Sequence, residues 1–363
     1  MARHTNSTQA AVSVHRIPVF LISRNGVRTA GGVERVVQLV QEALSRDGIG
    51  VTLVDEASIT PPWLAFGRFG QFVFPVWVSL WLWCKRLAGR RFITISNSSY
   101  TPLYPAEVII VHGSAAGYIK ALAGTGKRFL GMRMMACLEA MSMRAAKRVA
   151  CVSETVRDFA VDLYQIAPGK CEVVHNGIDT SIFRQTPKFS GNRVRLGFAG
   201  RLEFGKGLPY LIEIARWVEL QKDFSLVIAT INDAPPELAN LANVTIMKQV
   251  SPENMGQFYD KIDVFLLPSL FEGFELVTLE AIASGVCVLG TQVGACKLFL
   301  EQGNPWVREL PRHPADFPRA APALIGELRK NYNPQAMNTF MSVHFSTERF
   351  TTQIRRMALE VQP

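Results

Sequence analysis

Short apolar runs alternate with amphipathic stretches along most of this chain. The run over 17–22 predicts a buried strand. A glycine-containing loop over 25–32 follows, and then Val33, Val36, Val37, Val40 and Leu44 mark one face of a helix. Gly48 and Gly50 stop that helix, and 51–54 is the next strand. Further apolar runs over 92–95, 108–111, 149–152 and 171–174 are separated mostly by helical spacing. Continuous apolar strands alternating with helices predict a parallel sheet covered on both faces, an α/β fold.

The alternation pauses between 179 and 192, where Pro187, Lys188, Ser190, Gly191 and Asn192 read as a polar linker. It then resumes. Strands are expected over 194–199, 226–229, 244–247, 264–267 and 286–289, with a helix over 208–220. The expected organisation is a flexible tail over 1–15, a first domain over 16–188 and a second over 189–344. The halves look alike in architecture without sharing a sequence repeat.

Length agrees, since 363 residues exceed one ordinary core and suit two domains. The formal charge of +9 calls for a negatively charged partner, whether nucleic acid, anionic lipid or a phosphorylated substrate. Cys84, Cys137, Cys151, Cys171, Cys287 and Cys296 form no paired motif, so they read as reduced, mostly buried thiols of a cytoplasmic protein. The polar start has no signal-peptide pattern. The longest apolar run, over 72–84, contains Pro75 and falls short of the roughly 20 residues that span a bilayer.

The densest chemistry lies between Pro268 and Ala281. Glu272 and Glu280 bracket seven residues that read as a strand end, a glycine loop and a helix start. The carboxyl edge of such a sheet is where open α/β folds bind ligands. Free amides of the loop and helix start over Gly273, Phe274, Glu275, Leu276 and Val277 suit a negative group such as a diphosphate. The second domain's first strand ends in another charged glycine loop, Gly200 to Gly207, with Arg201 and Lys206 as phosphate partners. Alone it would be a solvated turn; beside the Glu272 loop it reads as an anion cradle. Gly31-Gly32 admits two readings, a helix-start turn or a loop facing the diphosphate from the first domain. His112 follows a strand directly, so it is either a capped structural histidine or a hydrogen-bond partner for a sugar hydroxyl. Glu139 and Ser153 read as structural, Ser153 as an N-cap. His175 to Asp179 reads as hinge-proximal turn architecture. No hydrolase elbow, P-loop, metal-ligand spacing or paired-aspartate motif occurs.

Taken together, Glu272-x7-Glu280 with its Pro-Ser prefix, Gly200-Arg201-Leu202 with Lys206-Gly207, Gly31-Gly32, Val152-Ser153 and His175 to Asp179 resemble retaining glycosyltransferases of the GT-B fold, the large family 4. The resemblance implies two Rossmann-like domains facing a deep cleft. It also implies a last helix, over 345–363, that returns to the first domain. Glu280 would hold the nucleoside ribose, and Glu272 would contact the transferred sugar. Arg201 and Lys206 would bind the diphosphate, with Gly31 and Gly32 opposite. His112 matches the family's histidine beside the donor sugar. It further implies a UDP- or GDP-type sugar as co-substrate, no metal and no other cofactor. Glu275 stands where the family has a small residue or proline, so its carboxylate would tune sugar choice or repel phosphate. Lys248, near the expected base site, replaces a common glycine.

Two stretches combine apolar bulk with positive charge. One is 72–83, holding Trp77, Trp81 and Trp83 ahead of Lys85, Arg86, Arg90 and Arg91. The other places Arg133, Arg144, Lys147 and Arg148 on one side of a helix. Both suit an anionic membrane surface or an ordinary buried and solvated pair of faces. Membrane docking would make the acceptor a lipid-linked glycan or a lipopolysaccharide core. A non-catalytic nucleotide-sugar-binding partner is the alternative. Nucleic acid is disfavoured, because no binding module is recognisable.

Overall fold

A computed structural model describes residues 17–26, 32–61, 67–123 and 130–360. The expected tail over 1–15 and Gly31 lie outside the described residues.

Two six-stranded sheets carry the chain. The first contains β1 (Val19–Ile22), β2 (Val51–Val54), β3 (Ile93–Asn97), β4 (Val108–Val111), β5 (Arg148–Cys151) and β6 (Cys171–Val173), in the order β2-β1-β3-β4-β5-β6. The second contains β7 (Val194–Ala199), β8 (Phe224–Thr230), β9 (Val244–Lys248), β10 (Val264–Leu267), β11 (Cys287–Gly290) and β12 (Val307–Glu309), in the order β12-β11-β10-β7-β8-β9. Every pairing is parallel. The central strands β1, β4, β10 and β11 are buried along their whole length, which explains their unbroken apolar sequence. The helix Gly32–Arg46 turns Val36, Val37, Val40 and Leu44 into the core, as their spacing requires. β12 has only three residues, too few for a readable period, and the sequence reading missed it.

Three expectations need correction. The segment around 188 is not a loose polar linker. Lys188 is buried, with Nζ donating to the Tyr259 carbonyl at 2.7 Å and to Thr186 Oγ1 at 2.6 Å. The Phe189 amide donates to Asp263 at 2.8 Å. Second, the four cations of the second basic stretch do not share a helix. The helix Leu130–Ala145 ends first, Arg148 starts β5, and Lys147 pairs with Glu107 at 3.3 Å. Third, only Cys151, Cys287 and Cys296 are buried, while Cys84 and Cys137 are exposed.

The chain passes between the sheets twice, and the two crossings are tied together. Ile178 and Ser346 form a parallel bridge, in which the Ile178 amide donates to Phe345 at 2.8 Å and the Thr347 amide donates to Ile178 at 3.1 Å. Beyond it the helix Thr347–Leu359 buries Phe350, Ile354 and Met357. It packs on the helix Gly32–Arg46 and on β3 and β4 of the first sheet. Arg355 pairs with Asp47 and Arg356 with Glu172, both in the first half. The last helix therefore returns to the first domain.

Gly177 lets the crossings approach, because a side-chain Cβ there would overlap the Ser346 backbone. Gly177→Ala is expected to cost about 1–3 kcal/mol. At roughly 2–4 °C per kcal/mol for halves of this size, thermal melting should show a clear drop. An unchanged melting temperature would mean that the crossing tolerates separation.

Candidate active site

In the second sheet the strand order reverses between β7 and β10. Such a switch point, at the carboxyl ends of the strands, is where open α/β sheets bind ligands. The β7 loop runs through Gly200, at φ +153°, to a short turn over Phe204–Lys206. Gly207 follows at φ +80°, where a Cβ would overlap the Pro268 carbonyl of the β10 loop. The Leu270 amide donates to the Gly205 carbonyl at 2.9 Å, fixing one loop on the other.

That approach brings the two sequence-predicted charges together. Lys206 Nζ lies 2.7 Å from Glu272 Oε1 and 2.9 Å from Oε2. Ser269 Oγ donates to Glu272 Oε1 at 2.7 Å. Arg201 is exposed at the mouth, 3.1 Å from Glu203. The helix Leu276–Ala283 follows, and no side chain caps its first amides. They remain available to an anion, as expected for the stretch from Phe274 to Val277.

The first domain closes the other side. A cavity of ≈ 210 Å³ is lined by His112 and Tyr118 from that domain and by Arg201, Lys206, Phe271 and Glu272 from the second. Phe271 packs against Tyr118 and Phe159, with ring centroids 5.9 and 6.1 Å away. Gly273 lies directly on the chain at His112: a Cβ there would overlap the His112 carbonyl oxygen.

His112 is held as a neutral imidazole. Burial pushes it down to about 4, well below the usual histidine value. Asn97 Nδ2 donates to the Val33 carbonyl at 3.2 Å, so Asn97 Oδ1 is the acceptor that faces His112 Nε2 at 2.9 Å. Nε2 therefore carries the proton and Nδ1 keeps its lone pair. The ring is a hydrogen-bond acceptor at neutral pH, not a cation.

Glu280 lies in the helix behind, and both of its oxygens are engaged. Tyr259 donates to Oε2 at 2.9 Å, and Arg35 of the first domain donates to Oε1 at 2.9 Å. Burial raises this carboxyl, while Arg35 and Tyr259 pull it back. Glu275 does not line the cavity but turns inward, accepting from the Ala295 amide at 3.0 Å and the Cys296 amide at 3.1 Å. Gly32 opens its helix and a Cβ there would meet Leu276 across the cleft at 3.8 Å. Lys248 pairs with exposed Asp233 at 2.7 Å. His175, read only as turn architecture, stacks on Phe274 at 4.7 Å, and Asn176 donates to the Phe274 carbonyl at 3.0 Å. Glu139 keeps its structural role, accepting from the Ala115 amide at 2.9 Å and from Tyr164. Arg35, Tyr259, Phe271, Tyr118 and Asn97 were missed. Arg35 falls at the polar edge of an amphipathic helix, where charge alone is no signal.

Comparison with known proteins fits this architecture. Residues 193–327 match the family described as "Glycosyl transferases group 1", and residues 30–182 match "Glycosyltransferase Family 4". The chain belongs to this glycosyltransferase family. An uncharacterized glycosyltransferase of Methanocaldococcus jannaschii is 25% identical over 49% of this chain and 50% of its own length. A D-inositol 3-phosphate glycosyltransferase of Stackebrandtia nassauensis is 28% identical over 46% of each. The chain thus spans about half the length of the curated relatives it matches. Among solved structures, sucrose-phosphate synthase from Thermosynechococcus elongatus superposes with TM-score 0.77 at 16% identity, covering 95% of this chain and 99% of that one. WaaG, a glycosyltransferase involved in lipopolysaccharide biosynthesis, gives 0.71 at 17% identity, covering 95% and 100%. Anabaena HepE in complex with UDP-glucose gives 0.68 at 15%, covering 95% and 100%. These likenesses show the two-domain GT-B fold.

Since Gly273 touches the His112 backbone across the cleft, Gly273→Ala is expected to wedge the domains apart. Small-angle scattering should report a larger radius of gyration than the unsubstituted protein, with little change in melting temperature. An unchanged radius would show that the contact does not set closure.

Proposed function

We propose that this protein is a retaining, metal-independent hexosyltransferase. It would move a sugar from a nucleoside-diphosphate donor of UDP or GDP type to a glycan or lipid-linked acceptor. The observation that carries this reading is the convergence, in one cleft, of Lys206 and Glu272 from one sheet with neutral His112 from the other. The cations and open amides belong to the side that receives phosphate, and the uncharged acceptor faces a hydroxyl-rich group.

The chemistry follows from those groups. Departure of the diphosphate builds negative charge on the leaving oxygen. Arg201 and Lys206 line that cavity, and the first amides of the helix Leu276–Ala283 carry no side-chain cap, so these groups would stabilise the charge as it develops. Glu272 accepts sugar hydroxyls and His112 Nδ1 accepts another, which orients the ring. Glu280 holds the ribose, taking its hydroxyls in place of, or beside, Arg35. The interdomain contacts of Phe271 and Gly273 keep water out, limiting hydrolysis of the donor. A front-face transfer fits, with the leaving oxygen taking the acceptor's proton.

Thermal shift with UDP, GDP, ADP and their sugars, without added metal, tests the donor site. Stabilisation is expected from one base family. Glu280→Ala should weaken nucleotide binding by about tenfold or more, whereas Glu272→Ala should mainly lower turnover. No stabilisation by any nucleotide would sink the reading. Nucleotide binding without transfer to any glycan would leave a non-catalytic binding partner.

We further propose an acceptor at the cytoplasmic membrane face, serving cell-surface polysaccharide or lipopolysaccharide assembly. What supports this is the outer face of the helix Gly70–Leu87. Val73, Val76, Leu80, Trp83 and Leu87 are exposed along one stripe, while Phe74, Val78 and Leu82 are buried on the opposite side. The neighbouring helix Leu130–Ala145 adds exposed Leu130 and Met134. Lys85, Arg86, Arg90 and Arg91 flank the stripe. Its tryptophans serve the protein first: Trp83 Nε1 donates to Leu103 and Trp77 Nε1 to Ile59, at 2.8 and 3.1 Å. No helix among the described residues is long and apolar enough to cross a membrane. Co-sedimentation with vesicles containing phosphatidylglycerol should be strong and salt-sensitive, and Leu80→Glu with Leu87→Glu should abolish it. Equal binding by that double variant would remove this surface as the docking face.

A further inference from the structure

Among the carboxylates of the donor loop, Glu275 has work that donor contact does not explain. The helix Gly294–Glu301 begins after Val293 without a capping side chain of its own. Its early amides need acceptors, and the positive end of its dipole favours an anion. Glu275 supplies both from a different loop, one oxygen to Ala295 and the other to Cys296. Gly294 is where the parts meet. A Cβ there would overlap Glu275 Oε2 and come within 2.9 Å of Glu272 Cβ. The back of Glu272, the Glu275 carboxylate and the start of this helix are one close-packed contact.

We propose that Glu275 is a positioning residue, which clamps the Glu272 loop to the helix Gly294–Glu301 and gains a proton when the donor binds. The inference rests on the donor-site reading above. In the free protein the charge of Glu272 is offset by Lys206 at 2.7 Å. A bound diphosphate draws Lys206 toward its own oxygens and adds negative charge of its own. Glu272 is then less compensated, and the buried carboxyl behind it feels the difference.

The groups facing Glu275 make this a charge-sensitive place. From its own loop comes Glu272, backed by Lys206. From the helix Gly294–Glu301 come two amides and the Cys296 thiol, which burial holds neutral. Burial first, and the Glu272 charge second, push Glu275 up to about 7, against the backbone amides and the Thr278 hydroxyl, which favour its ionised form. A further rise on donor binding moves this carboxyl toward its protonated form. The proton comes from solvent, and no covalent bond changes. By linkage, donor affinity should be flat below pH 7 and fall above it.

Isothermal titration calorimetry tests this with UDP-glucose and GDP-mannose, whose phosphodiesters do not titrate near neutrality. Titrations at pH 7 in phosphate and in Tris report protons exchanged per donor bound. The expected result is uptake of up to about half a proton by the unsubstituted protein. Glu275→Gln should show almost none, with affinity that no longer falls between pH 7 and 8. Glu275→Asp keeps a titrating group and should retain uptake. Binding without proton uptake in the unsubstituted protein would overturn the proposal, and that measurement does not depend on any variant folding. Equal uptake by Glu275→Gln would overturn it too. Failure of both sugars to bind would instead remove the donor-site reading, and this inference with it.

Discussion

The site is assembled from two sheets joined by two chain crossings, so everything depends on how those crossings are held. The bridge between Ile178 and Ser346 pins one to the other. The helix Thr347–Leu359 then carries the second crossing back across the first domain. The two crossings thus form one hydrogen-bonded connection between the sheets. His112 and Glu272 line one cavity, where Gly273 lies against the His112 backbone and Phe271 against Tyr118.

Within the cleft the residues divide by the charge they must meet. Arg201, Lys206 and the open helix amides form the cationic side. His112 is uncharged because burial outweighs any stabilisation of its imidazolium. Glu272 and Glu280 are each held by a cation and a hydroxyl: Lys206 with Ser269, and Arg35 with Tyr259. The two pairs are built alike, but only the second spans the domains. A ligand at Glu280 therefore reads the closure of the cleft as well as its own contacts. Glu275 adds a third carboxylate behind the first, satisfied by backbone and not by a cation.

The alternation of apolar runs gave the fold class and most strand positions, since a strand buried on both faces must be apolar throughout. β12 escaped because three residues carry no period. The polar linker reading failed at Lys188 and Phe189 for a different reason. Composition records that lysine is polar but not that the Tyr259 carbonyl and Thr186 lie within its reach. The same limit applies to the proposed cationic helix face, where a helical period was extended past the end of the helix into β5.

The sequence by itself determined the two α/β halves, the glycine loops at strand ends, the placement of Arg201, Lys206 and Glu272 on the same sheet edge and that of Glu280 in the helix that follows. These are local properties, dictated by spacing and by where a backbone needs glycine. Tertiary structure alone decided that Arg35 reaches Glu280 across 245 positions of chain, that Phe271 lodges against Tyr118 and Phe159, and that Glu275 faces a helix start instead of the cleft. Those pairings depend on where two separately folded sheets, and the loops of one sheet, come to rest against each other. Residue spacing along a chain carries no record of that approach.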